Sequence, residues 1–121
     1  MSQALRLVSL CLVLCCALAG CSFSYSAYKE RERLMKEQYP SYPERVQQAI
    51  AGNYLLEGMT HDQVYLAVGE PHCKTTTRYR EQKVETWMYP PDEGSPCTQS
   101  HNQVYFDKGI VIGWAFGALG Y

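Results

Sequence analysis

Residues 57–71 read EGMTHDQVYLAVGEP, and this stretch predicts a capped helix with defined ends. Thr60 followed by Gln63 is a capping-box pattern, in which each side chain accepts a hydrogen bond from the other residue's backbone amide. Asp62 places a negative charge in the first turn, where it favours the helix dipole. The apolar positions at helical spacing, expected to face inward, are Val64, Ala67 and Val68.

The residues that flank this helix set its limits. Gly58 is expected to take a positive φ angle before the cap, and Met59 to pack in the core. Gly69 ends the helix, and Pro71 directs the chain into an extended strand. A shorter helix is predicted over 44–51, with Pro43, Gly52 as its proline start and glycine cap and Val46, Ala49, Ile50 as its apolar face.

From residue 72 the apolar period changes to two, which is typical of strands. Segments 73–80 and 84–89 flank a polar turn over 81–83 and predict a hairpin. The first strand is polar throughout, so it is expected to be an exposed edge. A second pair is predicted over 103–107 and 110–116, joined by a tight turn.

These elements predict an α+β fold, with two short N-terminal helices packed on a small antiparallel β-meander of three to four strands. The helices are expected to cover one face of the sheet. The core candidates are Trp87, Tyr89, Val104, Phe106, Ile112 and Trp114. The chain has 121 residues, which fits one domain, and its 11 Lys and Arg against 12 Asp and Glu make a general nucleic-acid binder unexpected.

The first twenty residues carry an export signature. Arg6 is their only charge, and the apolar run 7–18 follows it. As a helix that run spans roughly 18 Å, against about 30 Å for a bilayer core, so a transmembrane helix is the weaker interpretation. The apolar run ends in the four residues Leu18-Ala19-Gly20-Cys21, which resemble a bacterial lipobox.

The lipobox predicts cleavage between Gly20 and Cys21 and a triacylated Cys21 as membrane anchor. An ordinary signal peptide with a cysteine beside its cleavage site is the alternative. Ser22, in place of aspartate, favours the periplasmic face of the outer membrane by analogy with other lipoproteins. The predicted organisation is a signal peptide over 1–20, a polar tether over 21–42 and an α+β domain over 43–121.

The tether has helix formers over 27–38, with opposite charges such as Glu32 and Lys36. A partner-binding helix is the alternative interpretation of this stretch. Beyond it, Cys73 and Cys97 remain after export and lipidation, and in an oxidising compartment they are expected to form one disulfide worth about 3 kcal/mol. Free thiols, or a metal site that adds His72 and His101, are the other options for these cysteines.

Two parts of the chain resemble one family. Segment 54–71, with Gly58-Met59-Thr60, Gln63-Val64 and Gly69-Glu70-Pro71, is similar to the G-M-T…V…A-x-G-x-P motif of the SmpA/OmlA (BamE-like) lipoproteins. Residues 85–89, around Trp87, and 104–112 resemble that family's W-x-Y strand and following hairpin. The loop 90–102 and the segment 22–42 are not part of the motif.

The resemblance implies an accessory factor in outer-membrane protein assembly and envelope integrity, acting through protein and phospholipid-headgroup contacts. The sequence therefore predicts a non-catalytic, outer-membrane-anchored lipoprotein without cofactor, metal or small-molecule substrate, whose partner is an envelope protein and suspected to be a barrel-assembly component. A small periplasmic inhibitor or ligand-binding lipoprotein of the same fold is the alternative. An enzyme would need Cys73 or Cys97 paired with a histidine, namely His61, His72 or His101.

Overall fold

The computed structural model describes residues 25–90, 96–97 and 100–116. The predicted signal peptide, the cleavage site at Gly20 and Cys21, and Ser22 lie outside the described residues. The chain divides into two compact units, Met1–Tyr39 and Pro40–Tyr121. In the part that the structure describes, no helix is long and apolar enough to cross a membrane.

In the first unit, residues 25–37 form helix α1 within the predicted tether. Arg33 holds Glu30 at 2.7 Å and Glu37 at 3.1 Å, and these pairs lie on an exposed surface. Glu32 pairs with Lys29 at 3.7 Å. The helical spacing predicts a pair of Glu32 with Lys36, four residues later. In the structure Glu32 pairs with the lysine three residues before it, which lies on the same side of the helix.

Helix α2 spans Glu44–Gly52, after a short 3-10 helix at Tyr39–Ser41. Of its predicted apolar face, Ala49 and Ile50 are buried, whereas Val46 is only partly buried. The predicted cap at Gly52 is wrong, because Gly52 is still helical and Asn53 takes the left-handed conformation at φ 55°. Asparagine tolerates that conformation better than most residues do, which moves the helix end by one position.

Helix α3 spans His61–Val68 and confirms the predicted capping box. The Gln63 amide donates to Thr60 Oγ1 at 3.3 Å, and the Thr60 amide donates to Gln63 Oε1 at 3.0 Å. Gly58, which precedes the cap, and Gly69, which ends the helix, both have a φ of 91°, a conformation that favours glycine. Val64 and Ala67 are buried as predicted, Val68 is only partly buried, and Leu66 is buried although the sequence pattern did not indicate it.

Four antiparallel strands follow in the order β1-β2-β3-β4, which confirms the α+β fold. They are β1 (Cys73–Tyr79), β2 (Gln82–Met88), β3 (Gln103–Asp107) and β4 (Ile110–Ala115). The polar strand β1 lies at one edge of the sheet, as predicted.

The first hairpin turns earlier than predicted. Its turn residues are Arg80 and Glu81, with φ of 49° and 68°, and Gln82 already pairs with Tyr79. Two positive φ angles match the twist of a two-residue hairpin, and here Arg80 and Glu81 adopt a conformation that usually favours glycine or asparagine. The second turn, Lys108-Gly109, lies where the sequence predicted it.

Helix α3 lies against one face of the sheet. The buried residues on this face are Trp87, Val104, Phe106 and Val111. At the end of α3, the hydroxyl of Tyr89 donates to the Gly69 carbonyl at 3.1 Å. Burial, with a smaller contribution from the charge of Glu70, raises the pKa of Tyr89 well above its ordinary value.

The prediction that Trp114 belongs to the core is wrong, because this side chain is 37% exposed. Trp114 pairs with Val104 beyond the part of β4 that residues 58–60 contact, whereas Val111 and Gly113 take the buried positions of this strand. Ile112 and Tyr89, two further core candidates, are only partly buried.

The opposite face carries an aromatic stack that requires Gly113. The rings of Tyr79 and Tyr105 lie 4.1 Å apart between centroids and 14° from parallel. A Cβ placed on Gly113 lies 2.8 Å from Cζ of Tyr79, closer than carbon atoms can pack. The ring of Tyr79 therefore reaches across the sheet only because position 113 has no side chain.

Gly113→Ala is expected to cost about 1–2 kcal/mol of unfolding free energy, because the methyl group displaces Tyr79 from its stack. In a Tyr79→Ala background the same change is expected to be neutral within about 0.5 kcal/mol. Urea unfolding of the four variants of this double-mutant cycle measures both values. An equal cost in both backgrounds contradicts the contact.

Candidate functional site

The predicted motif residues meet where α3 joins the sheet. The Gly58 amide donates to the Val111 carbonyl, and the Val111 amide donates to the Met59 carbonyl, both at 2.9 Å. Thr60 bridges to Ile110 in the same antiparallel sense. The three residues before α3 thus extend the sheet beyond β4, and Met59 is buried there with 1% exposure.

This junction places His61, the first residue of α3, over the middle of the sheet. Its imidazole stacks on Trp87 with 5.0 Å between centroids and 12° between planes. It also contacts Phe106 at 4.4 Å between centroids. The ring is thereby held between the start of a helix and two strands.

Glu85 joins the histidine to the tryptophan. Its Oε2 lies 3.0 Å from His61 Nε2, and its Oε1 accepts from Trp87 Nε1 at 2.9 Å. Glu85 and Trp87 are two residues apart on β2, so both project from the face that α3 covers. We name His61, Glu85 and Trp87 the polar cluster.

The polar cluster is partly exposed and lies beside a cation. The polar partner of its imidazole is a carboxylate rather than a hydroxyl or thiol. The His61 and Glu85 side chains are 38% and 42% exposed, so both reach the surface while their geometry is fixed from within. Lys74 adds a cation 4.7 Å from the Trp87 ring centroid.

The hairpin of β1 and β2 is cationic. Its basic side chains are Lys74, Arg78, Arg80 and Lys83, all exposed, and we name them the basic hairpin set. Among the described residues none of the four forms an ion pair. Arg78 instead donates to the backbone carbonyl of Glu81 at 3.4 Å, and Arg80 lies 5.0 Å from the Tyr79 ring centroid.

The predicted disulfide is present and joins Cys73 to Cys97, with 6.2 Å between the Cα atoms. It ties the start of β1 to the long loop that precedes β3. The bond uses both thiols that the metal and free-thiol alternatives needed. In the part that the structure describes, no three His, Cys, Asp or Glu side chains group in a way that could hold a metal ion.

The structure thus brings together several of the motif residues at the two ends of α3. Gly58, Met59 and Thr60 contact β4, Gln63 completes the cap, and Gly69 accepts from Tyr89; Pro71 precedes the edge strand. Trp87 belongs to the polar cluster. The sequence missed the contact of His61 with Glu85, although the period-two spacing of Glu85 and Trp87 could have placed those two on one face.

Compared with protein-family models, curated proteins and solved structures, the chain gives no match. The resemblance to SmpA/OmlA lipoproteins rests on the motif residues quoted above.

Glu85→Ala is expected to destabilise the protein by about 1–2 kcal/mol, because the buried Trp87 N–H loses its acceptor. Glu85→Gln keeps an oxygen for the indole and gives up only an exposed charge, so its cost is expected to be less than half as large. Urea unfolding followed by tryptophan fluorescence measures both.

The matched control is Glu57→Ala, which removes an exposed carboxylate and is expected to stay within about 0.5 kcal/mol of wild type. Equal losses for Glu85→Ala and Glu85→Gln would show that the carboxylate's charge, rather than the indole hydrogen bond, dominates the polar cluster.

Proposed function

We propose that this protein is a non-catalytic, lipid-anchored lipoprotein of the SmpA/OmlA (BamE-like) family at the periplasmic face of the outer membrane. It acts there as a scaffold or accessory factor in outer-membrane protein assembly and envelope integrity. The observation that carries the proposal is the Cys73–Cys97 disulfide in a chain with a lipobox at Cys21. Disulfides persist in the periplasm and are rare in reducing compartments.

A binding role is supported by the chemistry of the site. The disulfide occupies both cysteines that the sequence offers as nucleophiles downstream of the lipobox. In the polar cluster, both carboxylate oxygens of Glu85 are engaged by neighbouring side chains. Such a preorganised and partly exposed arrangement favours recognition of a partner over turnover of a substrate.

The proposed family is supported by the structural roles of its motif residues at the ends of α3. Gly58 supplies the positive φ angle before the cap, Thr60 and Gln63 form the cap, and Gly69 ends the helix. Each of these four positions therefore has a structural role at one end of α3. The fold alone does not determine the function, which depends on the side chains that the surface presents to a partner.

The anchor is tested by labelling with radioactive palmitate and fractionating the envelope. Wild type is expected to be labelled and to sediment with the outer membrane, whereas Cys21→Ala accumulates as unlabelled precursor. Cys16→Ala is the matched control, because it removes a cysteine from the export segment outside the lipobox. Unchanged labelling of Cys21→Ala refutes the lipid anchor.

The partner is identified by crosslinking in the native envelope followed by mass spectrometry. Recovery of barrel-assembly components supports the scaffold role. Recovery of one periplasmic enzyme in their place favours the inhibitor alternative and contradicts the assembly role.

A further inference from the structure

We propose that β1 is a strand-addition site for an extended, acidic segment of a partner protein. The segment adds to the open side of Cys73–Tyr79, and its alternate carboxylates pair with Lys74 and Arg78. The inference rests on the binding role proposed above and names the chemistry of the partner.

The first observation is that β1 has an unpaired edge. It pairs with β2 on one side, and within the described residues no strand lies on its other side. The opposite edge of the sheet differs, because residues 58–60 pair with the start of β4. An edge strand of seven residues presents enough backbone donors and acceptors to hold an added strand.

The second observation is that β1 is tied to its surroundings at both ends and at Thr77. The disulfide fixes Cys73 at one end, and the positive-φ turn at Arg80 fixes the other. Between them, the hydroxyls of Thr77 and Thr86 hydrogen-bond at 2.6 Å. A preorganised edge pays little ordering entropy when a segment binds to it.

The third observation is the charge of this edge. Lys74 and Arg78 project from the same side of β1, with Thr76 between them, and all three are exposed. Both basic residues lack an ion-pair partner in the described part of the chain, as do the other members of the basic hairpin set. An added strand places a side chain about 5 Å from each of them, which is suitable for carboxylates.

The same charges disfavour a second copy of this chain as the occupant. Antiparallel pairing of two β1 strands centred on Thr76 places Lys74 opposite Arg78 of the other copy. Like charges directly opposite each other destabilise a strand pair. Basic residues on this edge therefore oppose self-association while favouring an acidic segment.

The test uses the full-length chain in zwitterionic detergent and the blocked peptide TEVEVET as probe. We expect amide chemical-shift changes to concentrate in residues 73–79, and the lysine peptide TKVKVKT to bind at least tenfold more weakly. The variant Lys74→Glu/Arg78→Glu is expected to reverse this preference. Arg31→Glu/Lys36→Glu is the matched control, because it makes the same change of charge on α1 and is expected to leave the affinity unchanged.

Two N-methylated peptides separate strand addition from simple charge attraction. One carries methyl groups on the valine nitrogens and the other on the glutamate nitrogens, so each has one edge blocked. Strand addition predicts that one of the two loses binding at least tenfold while the other retains it. Full binding of both peptides, no binding of TEVEVET, or shifts outside β1 overturns the proposal and leaves the palmitate and crosslinking tests of the proposed function unaffected.

Discussion

The pairing of residues 58–60 with the edge of β4 is the constraint on which the second unit depends. Two hydrogen bonds of 2.9 Å, between Gly58 and Val111 and between Val111 and Met59, fix where α3 begins. The capping box then starts the helix at once, so His61 lies on Trp87 and Phe106. A short backbone contact thereby determines which side chains meet at the centre of the sheet.

The same constraint makes the two edges of the sheet different. On the β4 side, residues 58–60 satisfy part of the edge from within the chain, whereas β1 keeps its outer side unpaired in the described structure. The disulfide at Cys73 stabilises that open strand in place of a neighbouring strand. An unpaired edge is an aggregation hazard unless it is charged, and Lys74 and Arg78 supply the charge. Under the strand-addition proposal, the charges that protect this edge are also the ones that recognise the partner segment.

Local signals in the sequence predicted most of the helices, strands and turns. They did not predict contacts between residues that are far apart in the chain. The cap at Thr60 and the turn at Gly109 are encoded by a few adjacent residues, so both were found. The end of α2 at Asn53 was missed by one residue, because asparagine replaced glycine in the left-handed position. Trp114 was misplaced because the exposure of its side chain depends on which residues cover that part of β4, and the local pattern does not contain this information. The contact of His61 with Glu85 joins a helix to a strand 24 residues away, and spacing alone does not indicate such a contact.

Native-state hydrogen exchange at the Gly58 and Val111 amides tests the central constraint most directly. If residues 58–60 hold the helix to the sheet, both amides exchange only on global unfolding, with free energies within about 1 kcal/mol of those in the β2–β3 pair. Exchange of Gly58 and Val111 through a local opening several kcal/mol lower, while β2 and β3 stay protected, would contradict the account.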